Sequence, residues 1–292
     1  VAFILLFVLF VVPVHAAVDS SEVQAGSDSS AADTPEQESD TFKFGEIEFT
    51  GSITSVVQRS ARTRRIYAPD GRVSKNSWSI DLELSSQLGR HGSFHSLHEV
   101  GNAASVDDVL AGFSGFNFFA GDGERLGTTE AWYEYQKDGA GFRFRLGKIY
   151  FPGEFDSSSF ANCEVTQFIS PGFVNGLTVE FPEEYDFGGL FWYPFAGNWE
   201  IGAGAVDKFS VFELAFRPEK NGRKGNYRIY RWFNQFDHQS LLDPADAAAE
   251  NDGYGLSFDQ EISARFALFA RYGRQRDEVA EMDSAWSFGA QY

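Results

Sequence analysis

Charged and aromatic side chains in the middle of the chain recur at every second position. Glu130, Trp132 and Glu134 share one parity, and Arg143 and Arg145 alternate with apolar residues. In an extended strand alternate side chains share a face, so each set points one way. Charged groups can hydrogen-bond a polar solute, and an indole can stack on an apolar ring face. The alternative is that these charges only pair across strands, both glutamates with both arginines, and solvate a wet interior.

The same parity assigns further side chains to the polar face of predicted strands. An arginine facing lipid at mid-membrane would cost about 2–4 kcal/mol, which supports this assignment. Arg231 lies on the opposite parity and interrupts the alternation of its own strand. The additional residues predicted to line a pore are Arg228, Trp232, Asp259, Glu261 and Arg271.

The densest polar motif occupies residues 150–181, which read YFPGEFDSSSFANCEVTQFISPGFVNGLTVEF. Residues 153–176 form a long predicted connection, and such connections are usually functional. Within a barrel, this connection could fold inward and narrow the lumen. The alternative is a structural role, in which polar side chains cap the turns of a buried loop. The candidate constriction residues are Phe155, Asp156, Asn162, Glu164 and Gln167.

Other chemistry finds little support in the sequence. His91, His95 and His98 with Glu99 match no zinc spacing, so neither a metal nor a cofactor is predicted. A lipid hydrolase would need a Ser–His pair with an orienting group, and every histidine falls in or beside a predicted loop or strand end. The protein is therefore not predicted to be an enzyme. The single Cys163 precludes a disulfide within one chain and a metal–thiolate cluster.

The elements that carry these residues alternate with period 2 from Phe42 onward. In residues 78–88, Trp, Ile and Leu share one face, and Ser, Asp, Glu and Gln share the other. About twelve such strands, with short turns at one end and long loops at the other, indicate an antiparallel transmembrane β-barrel rather than a sandwich. The predicted strands cover 43–57, 78–88, 129–136, 141–150, 177–181, 187–193, 199–206, 211–217, 226–236, 253–262, 265–275 and 284–292, and residues 89–127 form a second long connection.

The N-terminal region differs from the rest. An apolar run at residues 1–12 is too short to span a bilayer as a helix and ends in Val14-His15-Ala16. It predicts a partial, cleaved signal peptide at 1–16, and the alternative is a buried helix. The polar stretch 17–41 predicts a disordered linker, which leaves 42–292 for the barrel.

Composition narrows the function further. Aromatic residues make up 16% of the chain and there are 29 Gly, a composition that suits a barrel. The net charge of −18 argues against nucleic-acid binding, which needs basic patches. It also argues against a selective anion pore.

Motifs along residues 42–292 occur in a recognisable order. They are Gly147-Lys148, Phe155-Asp156, Ala161-Asn162, Glu164, Thr166-Gln167-Phe168, Phe173-Val174-Asn175, Gly225-Asn226-Tyr227-Arg228, Leu268-Phe269-Ala270-Arg271-Tyr272-Gly273 and Trp286-Ser287-Phe288-Gly289. Together they resemble the motifs of the OprB-type carbohydrate-selective porins. The sequence departs from that pattern at Ser158, Cys163 and Val165, where Asn, Asp and Thr are common.

The resemblance implies passive diffusion of mono- or oligosaccharides and other small solutes through a water-filled barrel, surrounded by lipid of a Gram-negative-type outer membrane. It leaves a monomer or a homo-oligomer open. It also implies a barrel of roughly sixteen strands, so we expect the chain to lack about four C-terminal strands. Alternatively, Trp286, Phe288 and Tyr292 are a sorting signal on a complete twelve-stranded barrel. The alternative functions are a non-conducting structural or adhesive barrel and an outer-membrane lipid hydrolase.

Overall fold

The structure, a computed structural model, describes residues 6–9, 42–60, 72–102, 104–110, 112, 114–118, 126–137, 141–182, 186–243, 245, 247 and 249–292. Strands dominate these residues, which confirms the predicted all-β antiparallel class. The short helical turns are Val106–Asp108, Phe151–Gly153 and Pro171–Val174. No helix in this part of the chain is long and apolar enough to cross a bilayer. Apart from Leu6–Leu9, the predicted signal peptide and linker lie outside the described residues.

The strands form one 15-stranded sheet in which most neighbours in sequence are neighbours in space. They are β1 (Leu6–Leu9), β2 (Phe42–Phe44), β3 (Ile47–Arg59), β4 (Ser74–Leu88), β5 (Gly92–Asn102), β6 (Gly127–Gln136), β7 (Arg143–Lys148), β8 (Phe187–Ala196), β9 (Trp199–Val206), β10 (Phe209–Phe216), β11 (Glu219–Lys220), β12 (Arg223–His238), β13 (Ala249–Ser263), β14 (Phe266–Gln275) and β15 (Ser284–Gln291).

The order of the sheet is an antiparallel meander. It runs from β1 through β3 to β10 and on through β12 to β15, with β2 paired to β3 and β11 paired to β12. Within the described residues β1 and β15 form two open edges. Closure of the barrel, its strand number and the expected loss of C-terminal strands therefore stay predictions.

Two predicted elements are wrong. β5 was expected to lie in the long connection 89–127, but it pairs with β4 along its whole length. A register shift between Leu97 and His98 breaks its alternation, which hides the strand from a period-2 search. Conversely, residues 177–181 form no strand. Their apolar side chains Val179 and Phe181 pack against the buried core instead.

The two faces of the sheet have an inverted polarity. On β10 the side chain of Phe212 is 55% exposed, whereas the neighbouring Val211 and Glu213 are 0% and 3% exposed. Ile229 on β12 and Leu146 on β7 are also exposed, and Arg228 is buried. Apolar side chains thus point outward and charged groups point inward, a pattern typical of a sheet that faces lipid.

The inner face carries a hydrophobic core where β8 to β12 meet the connection that follows β7. Gly202 and Gly204 on β9 make this packing possible. A methyl group at Gly202 would collide with the ring of Trp192, and one at Gly204 would lie 2.6 Å from Phe151. The buried members of this core are Ile149, Phe151, Phe155, Leu190, Trp192, Val206, Phe209, Val211, Tyr230 and Trp232.

Candidate functional site on the inner face of the sheet

The connection between β7 and β8 lies against the inner face of the sheet, and we call residues 149–182 the inward loop. The Ser159 backbone N–H donates to Asp259 at 3.1 Å, near the turn between β13 and β14. At the opposite ends of the strands, His238 Nε2 lies 2.8 Å from Glu180 Oε1. The loop therefore crosses the interior from one end of the strands to the other.

Two arginines and two glutamates join the inward loop to β6 and β7, and we call them the Arg–Glu quartet. Arg143 contacts Glu134 at 3.2 Å and Glu154 at 2.9 Å. Arg145 contacts the same carboxylates at 2.8 and 2.7 Å. Burial raises the pKa of Glu154, but the guanidinium groups of Arg145 and Arg143 outweigh it and hold that pKa below its ordinary value. The formal charges of the quartet cancel.

Glu154 was missing from the sequence prediction. The strand sequences gave no signal for it, because Glu130 and Glu134 already supply two carboxylates for Arg143 and Arg145. In the structure only one glutamate of β6 pairs with these arginines. That glutamate is Glu134, whereas Glu130 accepts a hydrogen bond from Trp132 Nε1 at 2.9 Å. The expected pairing of Glu130 with the arginines is therefore wrong.

Trp132 lies between two partners. The His95 ring stacks on it at 4.5 Å between centroids, and the Arg145 guanidinium carbon lies 3.6 Å from its ring centroid. β5 and β7 flank β6, so these partners approach from opposite sides. A solute would have to compete with these partners, and stacking of a solute on Trp132 stays a prediction.

The four histidines that the structure describes form no metal site. His95 Nδ1 lies 3.3 Å from Glu83 Oε1, and His98 Nδ1 lies 2.9 Å from the Thr128 hydroxyl. Across the described residues, no group of three or more His, Cys, Asp and Glu side chains could hold a metal ion. Both histidines belong to β5, so their prediction as loop residues is wrong.

Asp156 holds the inward loop to the sheet from a fully buried position. Its backbone has φ +56°, a left-handed conformation that Asp tolerates better than most residues. Its carboxylate accepts the Gly176 N–H at 2.7 Å and lies 3.2 Å from Arg271 Nε. Arg271 also donates to the Asp156 and Phe173 carbonyls at 2.9 and 2.8 Å. One arginine of β14 thus fixes two separate parts of the loop.

A second buried pair lies beside the first. Arg228 on β12 forms an ion pair with Glu213 on β10. Arg228 also donates to the Glu154 carbonyl at 3.3 Å, and Glu213 accepts the Asp156 N–H at 2.8 Å. We call Asp156, Glu213, Arg228 and Arg271 the buried anchor. Glu213 was also missed by the sequence prediction, although its parity with Val211 and Ala215 marks it as inward.

The inward loop covers four of the ten residues predicted to line an open pore. Trp232 is 0% exposed, and Arg228, Asp259 and Arg271 are also buried. Parity identifies the face of a strand but not what covers that face. Glu261 lies beyond the covered region, where its carboxylate accepts the Lys224 N–H at 2.8 Å. The prediction that Trp232, Arg228, Asp259 and Arg271 line the lumen directly is therefore wrong.

Arg231 explains the broken alternation of β12. It lies on the outward face and forms an ion pair with Asp252 on β13. Arg276 contacts the same carboxylate through its Nε at 2.5 Å. These charges lie towards the His238 end of β12, where the chain leaves the sheet. The outward Arg231 is thus compatible with the inward Arg228 and Trp232.

Gln167 and Asn162 stabilise the fold of the inward loop. Gln167 Oε1 accepts the Asn162 and Cys163 N–H groups at 2.6 and 3.1 Å, and its amide donates to the Ser159 carbonyl at 2.8 Å. Asn162 Oδ1 accepts from Arg271 at 3.1 Å. These contacts match the structural alternative, in which polar side chains cap turns.

The other two candidate constriction residues differ from each other. Phe155 is fully buried and stacks on Trp192 at 5.2 Å between centroids, so it cannot touch a solute. Glu164 is only partly covered. Burial, followed by the charge of Asp81, raises the pKa of Glu164. Of the five candidates, Asn162, Glu164 and Gln167 retain some exposure.

Comparisons with known proteins support the fold. The sequence matches no family model and no curated protein. Its structure is similar to the high-pH structure of OprB from Pseudomonas putida, with a TM-score of 0.65 and 14% sequence identity. The match covers 84% of this chain and 69% of that chain. At this identity the likeness shows the fold alone, and it confirms the OprB-like sheet expected from the motifs.

Proposed function

We propose that this protein is a porin of a Gram-negative-type outer membrane through which carbohydrates and other small solutes diffuse passively. One observation carries the proposal: the sheet is apolar outside, and a long loop is anchored against its inner face by ion pairs. A loop fixed in this way narrows a lumen and so restricts the size of solutes that pass, which needs no catalytic step. On this proposal the protein is therefore not an enzyme.

The charge balance of the interior favours neutral solutes. The Arg–Glu quartet has no net formal charge, yet its side chains remain 12–24% exposed. Paired charges of this kind can still exchange hydrogen bonds with the hydroxyl groups of a passing sugar. Such binding is weak, as passage requires, because a solute that bound tightly would not leave. The sequence resemblance to OprB-type porins points to the same solutes.

The proposed location follows from the same features. We place the protein in the outer membrane, surrounded by lipid and exported through a signal peptide at residues 1–16 that is then cleaved. Residues 17–41 would link that segment to the barrel.

Planar bilayers test the proposal. We expect the reconstituted protein to give conductance steps, and glucose or maltose in the salt bath to reduce the current through them. Absence of any conductance would overturn the porin proposal. Conductance that no sugar alters would leave a general porin and remove the carbohydrate assignment.

A second candidate function has one observation in its favour. The inward loop buries the inner faces of β10, β12, β13 and β14, as the low exposure of Val211, Trp232, Asp259 and Arg271 shows. A lumen filled to that extent would suit a non-conducting structural or adhesive barrel. The same bilayer measurement separates the two functions, since only the porin conducts.

A further inference from the structure

A cavity of about 630 Å³ lies between the inward loop and the turn-side ends of β10 and β12. Its volume is within the range of small-molecule sites, roughly 300–1,000 Å³. None of the Arg–Glu quartet side chains lines it. The lining includes Ser157, Ser159, Asn162, Arg217, Glu219 and Lys224.

Several polar groups of the cavity are available to a ligand. Within the described part of the chain, the hydroxyls of Ser157 and Ser159 make no hydrogen bond. The Asn162 amide is oriented by Arg271, which donates to its Oδ1 and leaves its Nδ2 donors for another partner. Each hydroxyl can both donate and accept, which is what a sugar hydroxyl requires.

The wall that carries these groups is held in place by its backbone. Asn226 Nδ2 donates to the Ser157 carbonyl at 3.2 Å, and the Ser159 N–H donates to Asp259 at 3.1 Å. Gln167 Nε2 donates to the Ser159 carbonyl at 2.8 Å. The hydroxyls are therefore presented by a preorganised segment, which lowers the entropy that a ligand must lose on binding.

Both arginines that line the cavity are already neutralised by carboxylates outside it. Arg217 lies 2.9 Å from Glu200, and Arg228 forms its ion pair with Glu213. An anionic ligand would have to compete with these carboxylates. The positive charge at this site is thus weaker than its residue content implies.

The remaining charges of the cavity oppose each other. Lys224 and Glu219 are partners in the β11–β12 hairpin.

We propose that the cavity is a binding subsite for a neutral hexose unit, separate from the quartet and at the short-turn end of the strands. The subsite rests on the proposed porin function for its role in transport. Among the described residues no aromatic side chain lines it, so we expect weak affinity, with a Kd on the order of 1 mM or higher.

Local protection from thiol labelling tests the subsite. We would introduce Ser159→Cys into a Cys163→Ala background, because Ser159 is exposed and its hydroxyl is unpartnered in the described residues. In detergent micelles, we expect glucose to slow labelling of this variant about twofold when half the sites are filled and the bound form is protected. Glucose 6-phosphate at equal concentration should protect less. The matched control is Lys220→Cys in the same background, on the hairpin but not on the cavity wall, and its labelling should not respond.

The outcomes separate the two proposals. Equal protection of both variants, or none, would overturn the subsite, and stronger protection by glucose 6-phosphate would overturn its neutral ligand class. Protection needs no conductance, so protection without conductance would contradict only the porin proposal.

Should Ser159→Cys fail to fold, calorimetric titration of glucose against Ser157→Ala provides a second measurement. One lost hydrogen bond of about 0.5–1.5 kcal/mol should weaken binding roughly twofold to tenfold, and Ser210→Ala, on the outward face of β10, should not.

Discussion

The Arg–Glu quartet and the buried anchor hold the same loop with the same chemistry in different surroundings. In the quartet, Arg143 and Arg145 share two carboxylates and remain partly exposed. In the anchor, Arg271 and Asp156 are 3% and 0% exposed at their side chains. A buried charge depends on its partner, because removing that partner leaves a charge with neither an ion pair nor water to stabilise it. The anchor should therefore govern stability, and the quartet should govern the field that a solute meets.

Removal of the buried arginine should give the largest effect. Arg271→Leu leaves Asp156 buried without its cation and releases the Phe173 carbonyl, so we expect a loss of about 3–5 kcal/mol in the free energy of unfolding. Urea unfolding in lipid vesicles, followed by tryptophan fluorescence, measures it. We also expect faster proteolysis within the inward loop.

Arg274→Leu is the matched control on the same strand. Arg274 faces outward, is 55% exposed at its side chain and lies 3.8 Å from Asp283. An exposed pair of this kind contributes about 0–1 kcal/mol. Equal losses in the free energy of unfolding for Arg271→Leu and Arg274→Leu would show that the anchor contributes no more to stability than an exposed ion pair.

The sequence predicted these two regions only in part, because a period-2 pattern tells which face of a strand a residue occupies and not what lies against that face. Alternation predicted the faces of β6 and β7, because their charged residues keep one parity apart from Lys148 at the end of β7. It failed at β5, where a register shift follows Leu97. It also failed at residues 177–181, because an apolar run can pack on a sheet as well as pair within it. Pairing in a strand and packing against one leave the same local signature.

The site was less predictable than the fold for a related reason. Parity placed Arg228 and Arg271 inward, but a lumen and a loop-covered face look alike in the sequence of a strand. Glu154 was missed because it lies in a loop, and Glu213 because it is the only charge in an otherwise largely apolar strand. The balance of charge offered the better guide, because a buried arginine requires a carboxylate nearby.

Charge reversal in the quartet tests its role in the field of the lumen. Arg143→Glu with Arg145→Glu turns a neutral cluster into one of four negative charges, so we expect the pore to favour cations several-fold more than the unaltered protein does. The reversal potential across a salt gradient measures this. A double reversal at Arg274 and Arg276, two exposed outward residues, is the control and should leave the ratio unchanged. Unaltered selectivity in Arg143→Glu/Arg145→Glu would contradict the assignment of the quartet to the lumen.

The smallest expected effect is a change in the protease susceptibility of the inward loop at acidic pH. The pKa of Glu154 is lowered in the folded protein, so its contribution to loop attachment is complete above the unfolded value of about 4.3 and is lost as pH falls through the lower folded value. We expect the loop of the unaltered protein to become more susceptible to an acid-active protease below that range. Glu154→Gln removes this titration, so its susceptibility should already be raised at neutral pH and change less with acid. Glu250→Gln, at an exposed position, should follow the unaltered protein. Parallel acid profiles for Glu154→Gln and the unaltered protein would mean that the quartet does not hold the loop, and that the buried anchor alone does.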